Sequence, residues 1–141
     1  MKKSTKFIIA LLVTVGALAI TYRVVNQAPS KDLAADAQMQ EIITSGGCLQ
    51  CHSGSPDLPF YANWPVASGM VQKDVTQGYR AFDMTEMAEA LKAGKPVGKV
   101  ALAKVEKVIM DGTMPKHAYY MVHWGSSVTD AKKEMAMAWV K

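Results

Sequence analysis

The sequence predicts an all-α domain behind an apolar N-terminal segment, and three observations carry that expectation. No stretch alternates apolar and polar residues with period two. Four or five segments instead repeat apolar residues at helical spacing. The chain of 141 residues, 50% of them hydrophobic, has room for one domain and enough apolar material for its core. The formal net charge of +4 equals the contribution of Lys2, Lys3, Lys6 and Arg23, and no acid occurs before residue 31. The rest of the chain is electrically balanced, so its charge gives no ground for a nucleic-acid partner.

Residues 1–25 have the pattern of an export signal or anchor. Three lysines precede an uncharged run from Phe7 to Ile20, which extends through Tyr22 to Arg23. A helix over this run contacts a membrane through residues 7–22, with Arg23 snorkelling at the far interface. Two cleavage-like triplets occur, Ala17-Leu18-Ala19 inside the run and Ala35-Asp36-Ala37 well beyond it. Neither stands where a signal peptidase would need it, which favours an uncleaved anchor. The lysine-rich end is expected in the cytoplasm. Everything after Arg23 is then expected on the periplasmic or outer side of a bacterial cytoplasmic membrane.

Residues 26–36 are polar, contain Pro29 and Ser30, and read as a tether. The domain proper occupies 37–141. Its first helix carries Ala35, Met39, Ile42 and Ile43 on one face and stops at Gly46-Gly47. After a loop rich in Gly, Pro and Ser, a second stripe runs through Val71, Val75, Tyr79 and Phe82. Met84, Met87, Ala88 and Leu91 form a third, closed by Gly94 and Pro96. The clearest pattern spans Val97 to Met110, with Ala101, Leu102, Val105, Val108 and Ile109 inward and Lys99, Lys104, Glu106 and Lys107 outward. Gly112 suits the position past its end. The last helix begins near Ser127–Asp130, with Ala131, Met135, Ala138 and Trp139 expected on its inner face.

The only two cysteines lie in Cys48-Leu49-Gln50-Cys51-His52, the C-x-x-C-H pattern of covalent haem attachment. Two thiols separated by a two-residue spacer on a helical turn can add to neighbouring vinyl groups of one haem. The next residue, His52, then presents its Nε2 to the iron from the same side. Its Nδ1–H needs an acceptor, expected from a carbonyl in the Pro56–Pro59 loop. A redox dithiol would want a βαβ context that is missing here. A zinc site would want ligands nearer than His117 and His123. The expected cofactor is therefore one covalent haem c.

For the sixth ligand the favoured residue is Met114, in Gly112-Thr113-Met114-Pro115, on a loop rather than a helical stripe. Methionine opposite histidine is the common pairing of electron carriers. His117, His123 or an open position are the alternatives. Lys73, Arg80 and Lys116 are candidates to neutralise a propionate, and Tyr61, Trp64, Tyr119, Tyr120 and Trp124 cluster around the same loops.

The order of an N-terminal helix, C-x-x-C-H, a long loop, a Met-Pro turn and a closing helix with Trp139 resembles a class I cytochrome c. The narrower set of Cys48–Ser53, Pro59-Phe60-Tyr61-Ala62-Asn63-Trp64-Pro65, Gly112–Pro115, Tyr119-Tyr120 and His123 is similar to the small haem-binding domain family. Members occur alone behind an anchor or ahead of a dihaem cytochrome c peroxidase module. The resemblance implies a helical cytochrome-c-like fold around haem and a connection to peroxide reduction. The reading taken forward is a membrane-tethered carrier that passes single electrons between redox partner proteins, with any enzymatic activity of its own left open. A peroxidase (or peroxidase subunit) and a haem-based sensor, each with a displaceable sixth ligand, are its rivals.

Overall fold

The computed structural model describes residues 3–141. These residues form helices and no strand, as the absence of period-two patterning requires. The first helix, α1 (Lys3–Val25), has 23 residues, about 35 Å at about 1.5 Å per residue. Nothing in Thr21–Val25 breaks it, so it outlasts the apolar run and is long and apolar enough to cross a membrane.

Six helices and one tight turn make the domain: α2 (Ala35–Ser45), a 3₁₀ turn (Cys48–Gln50), α3 (Ser68–Ala81), α4 (Thr85–Lys92), α5 (Lys99–Asp111), α6 (His117–Val122) and α7 (Asp130–Val140). The core joins Met39, Ile42 and Ile43 of α2 to Met84, to Met87 and Leu91 of α4, to Val105 of α5 and to Ala136 of α7. α7 packs on both α2 and α5, while α2 also meets α4. The first and last helices of the domain thus cross, and Trp139 Nε1 donates to Asp36 Oδ1 at 2.7 Å to pin that crossing.

Two of the helices differ from the sequence expectation. On α7 the inward residues are Lys132 and Ala136, with Met135 and Trp139 beside them, while Ala131 and Ala138 are exposed. The helix is capped by Thr129, whose hydroxyl accepts from Lys132 N, so it starts two residues later than Ser127 would start it. Lys132 reaches the interior because its Nζ finds Ser45 Oγ at 3.3 Å and the Ser127 carbonyl at 3.2 Å. The other is α6, a six-residue helix within the stretch expected to be loop.

Residues 26–36 are held down over much of their length. Asn26 is 3% exposed and Pro29 is buried. The Asn26 side chain donates to the Trp124 carbonyl at 2.8 Å and accepts from Ser127 N at 2.9 Å. Gln38 Nε2 donates to the carbonyls of Ser30 and Leu33.

Candidate functional site

α2 ends at Gly46, and the chain turns through Gly47 in the left-handed conformation, φ 66°. A side chain there would be strained by the backbone and would run into the Tyr119 hydroxyl. The turn winds the next residues tightly: Cys51 N and His52 N both donate to the Cys48 carbonyl, at 3.2 and 3.0 Å. Cys48, Cys51 and His52 therefore sit on one short coil. The two thiols are free rather than bridged.

His52 is gripped at two points by the segment that follows α3. Its Nδ1 lies 2.8 Å from the Phe82 carbonyl, and its own carbonyl accepts from Met84 N at 2.7 Å. With Nδ1–H donated to an oxygen, the ring presents Nε2 with its lone pair unused. The acceptor is thus not in the Pro56–Pro59 loop. Phe82 stands just past the end of α3 in an extended conformation, where its carbonyl lies outside the helical ladder. Lys104 Nζ steadies the same corner, donating to the Ala81 carbonyl at 2.8 Å and lying 4.9 Å from the centroid of the Phe82 ring.

Cys48, Cys51, His52 and Met114 all line one cavity of about 490 Å³. That is within the range of roughly 300–1,000 Å³ for sites that bury a small molecule. Most of the wall is apolar or soft, including Met39, Ile42, Met84, Val105, Val108 and Ile109. The polarisable methionines suit a flat, irregularly packed guest. Among the described residues no group of three or more His, Cys, Asp or Glu is arranged to hold a metal ion directly. The donor set therefore fits a metal carried by its own macrocycle better than a bare ion.

The thiols carry a further indication. Burial raises Cys48 to about 11, and burial together with the nearby Asp74 raises Cys51. A redox-active C-x-x-C works by the opposite shift, one thiolate stabilised near neutrality. These thiols are kept protonated, so the environment does not favour disulfide exchange.

The sixth-position candidates are separated by the fold. α5 ends with Gly112 at φ 62°, and the following loop brings Met114 to the cavity wall with Thr113 and Pro115. His117 and His123 are not part of that wall. Both ring nitrogens of His123 are engaged, Nδ1 with the Tyr119 carbonyl at 3.0 Å and Nε2 with Tyr61 Oη at 2.7 Å. Its ring stacks on Tyr119 at 3.9 Å. Tyr119 lines the cavity and donates to Gln50 Oε1 at 2.7 Å, tying α6 to the Cys48–Gln50 turn.

Of the three basic candidates, Lys116 alone lies at this cavity, paired with Asp74 at 2.6 Å. Lys73 and Arg80 are not among its lining residues, whereas Lys104 and Lys107 are. Both had the sequence signature of a solvated helix face. They reach the cavity because α5 borders it along its edge. Neither Phe82 O nor Lys104 Nζ carries a motif, and only the α3 stripe ending at Phe82 hints at that corner.

The chain matches the model of the haem-binding domain over residues 7–141. It is also similar to a cytochrome c peroxidase of Escherichia coli K12, 36% identical over 94 residues. That similarity covers 67% of this chain and 20% of the relative, so the chain spans about a fifth of the length of the protein it matches. No solved structure matches.

Proposed function

We propose, from the premise that this chain belongs to the haem-binding domain family, that it is a monohaem c-type cytochrome anchored by α1 and serving one-electron transfer. Cys48 and Cys51 would hold the haem through two thioether links, and His52 Nε2 and Met114 Sδ would bind its iron. When bound, the haem supplies an iron that alternates between ferric and ferrous states. The protein's part is positional. The Phe82 carbonyl fixes the His52 tautomer and ring orientation, which also raises the basicity of Nε2. The Met114 loop offers a soft thioether, and the apolar wall keeps water from the centre.

The observation that carries this reading is the convergence of Cys48, Cys51, His52 and Met114 on one cavity, with His52 Nδ1 already committed to a carbonyl. The test is a spectrum of protein matured in a host that attaches haem c. The expected result is haem retained through acid–acetone extraction and a low-spin ferric spectrum with the methionine–iron band in the far red. Haem released by extraction rejects covalent attachment, and a high-spin ferric spectrum rejects the Met114 ligand.

The second reading, a domain that works with or within a peroxidase, is favoured by the named activity of the Escherichia coli relative. Peroxide consumption by the purified chain alone, with a reduced electron donor, separates it from the carrier.

A further inference from the structure

Two segments of the domain contain no charged residue, 58–72 and 117–129, in a chain where charged residues make up 20%. They also hold much of the domain's exposed apolar surface. Phe60 is 82% exposed and Trp64 56%, with Val66, Met121, Val122 and Trp124 exposed as well. Charge-free surfaces bearing large side chains cover something.

The structure joins the two segments to each other and to α1. Tyr61 packs on His123 with ring centroids 5.8 Å apart, in addition to the hydrogen bond between them. Phe60 and Trp64 lie against Tyr61, at 5.5 and 6.4 Å. Trp124, beside His123, meets Tyr22 of α1 edge-on at 5.8 Å. Tyr22 Oη donates to Ser127 Oγ at 2.9 Å, and Asn26 bonds the same loop through both ends of its amide. The end of α1 where the chain would leave a bilayer is thus built into this aromatic surface.

We propose that this surface, centred on Phe60, Trp64 and Trp124, rests in the headgroup region of the membrane that α1 crosses. The proposal relies on α1 being a span. Tyr22 and Arg23 then stand at the far interface, and the bonds from Tyr22 and Asn26 hold Trp124 at that level. Tryptophan and tyrosine favour the headgroup layer because they pair an apolar body with a polar edge. The lack of charge in both segments removes the desolvation cost that would lift an ordinary protein face off the lipid. The domain would lie on the membrane in one orientation rather than swing from it.

The test uses the full-length holoprotein in lipid nanodiscs containing a phospholipid with a photoactivatable diazirine at headgroup level, followed by peptide mapping. Segments 58–66 and 121–124 should be labelled to the same extent as Tyr22–Val25. They should be labelled several-fold more than Val100 and Met110, which are 73% and 71% exposed on α5. Phe60→Ser with Trp64→Gln, both at exposed positions, should lower labelling of 58–66 and leave that of α1 unchanged. Labelled α1 with a surface no more reactive than Val100 overturns the proposal and leaves the surface to a protein partner. Unlabelled α1 instead removes the span on which it rests.

Discussion

A methyl group added to Gly78 would stand 2.5 Å from the carbonyl oxygen of Cys51 and 3.0 Å from its Cβ. α3 therefore touches the C-x-x-C-H turn backbone to backbone, and this contact, with the Phe82 clamp on His52, sets the turn's position. Gly78→Ala is expected to push the turn out of place. It should destabilise the domain by about 1–3 kcal/mol and lower the fraction of chains that acquire haem. Thermal unfolding and haem-to-protein absorbance measure the two effects. An alanine variant as stable and as fully loaded as the parent would show that the turn can shift freely.

Met114→Ala should leave the haem attached but remove its thioether ligand. The reduction potential is expected to fall, and the ferric iron to become high-spin or be captured by another base. Met110→Ala and Met121→Ala, at exposed positions, should leave the spectrum unchanged. His123→Ala should also keep the far-red band while weakening the domain, because it frees Tyr61 Oη and unstacks Tyr119. A low-spin spectrum and potential that Met114→Ala leaves unchanged and His123→Ala alters would exchange their roles.

Tyr119 provides a pH signature. Burial pushes its phenol up to about 12 from 10.0. A raised pKa means that the folded protein holds the proton longer than the unfolded chain does. The associated stability is complete below pH 10 and is lost as pH rises toward 12. Unfolding followed between pH 9 and 12 should show this loss, and Tyr119→Phe should flatten it. At neutral pH the same variant forfeits the bond to Gln50, at about 1 kcal/mol. An unaltered alkaline slope would assign the loss to other groups.

Asn26→Leu would leave the Trp124 carbonyl and the Ser127 amide without their partner. The expected cost is about 1–3 kcal/mol. Amide exchange should quicken from Gly125 to Thr129, while the haem spectrum stays as it is. Unchanged exchange in that loop would mean that the α1 junction contributes nothing to its order.

The helices were legible in the sequence where their stripes were simple. Met39, Ile42 and Ile43, or Met87, Ala88 and Leu91, recur at spacings that admit one inward face, and they are buried as expected. α7 was misjudged by one position because a lysine at an inward site looks like a surface residue. The acceptors Ser45, 87 residues away in sequence, and Ser127, just before the helix, make Lys132 tolerable there. Haem binding was legible from the C-x-x-C-H spacing, and the match to the haem-binding domain agrees with it. The Phe82 carbonyl could not announce itself, since every residue has a carbonyl and only the fold decides which one faces a given imidazole. The cavity-side Lys104 was hidden for a similar reason: a solvated face and the edge of a cleft share one composition.

The pinned segment after α1 bears on how a partner can be met. Residues 26–36 as a free coil would span about 18 Å, from about 5–6 Å per square root of residue number, and would let the domain sweep that radius. Asn26 and Gln38 remove most of that freedom. For a chain anchored as proposed, the cavity keeps a nearly constant height above the lipid. A partner in the same membrane then finds it by lateral diffusion in two dimensions, at an effective concentration set by matching heights. A partner whose docking site stands even a domain's width higher gains nothing from sharing that membrane.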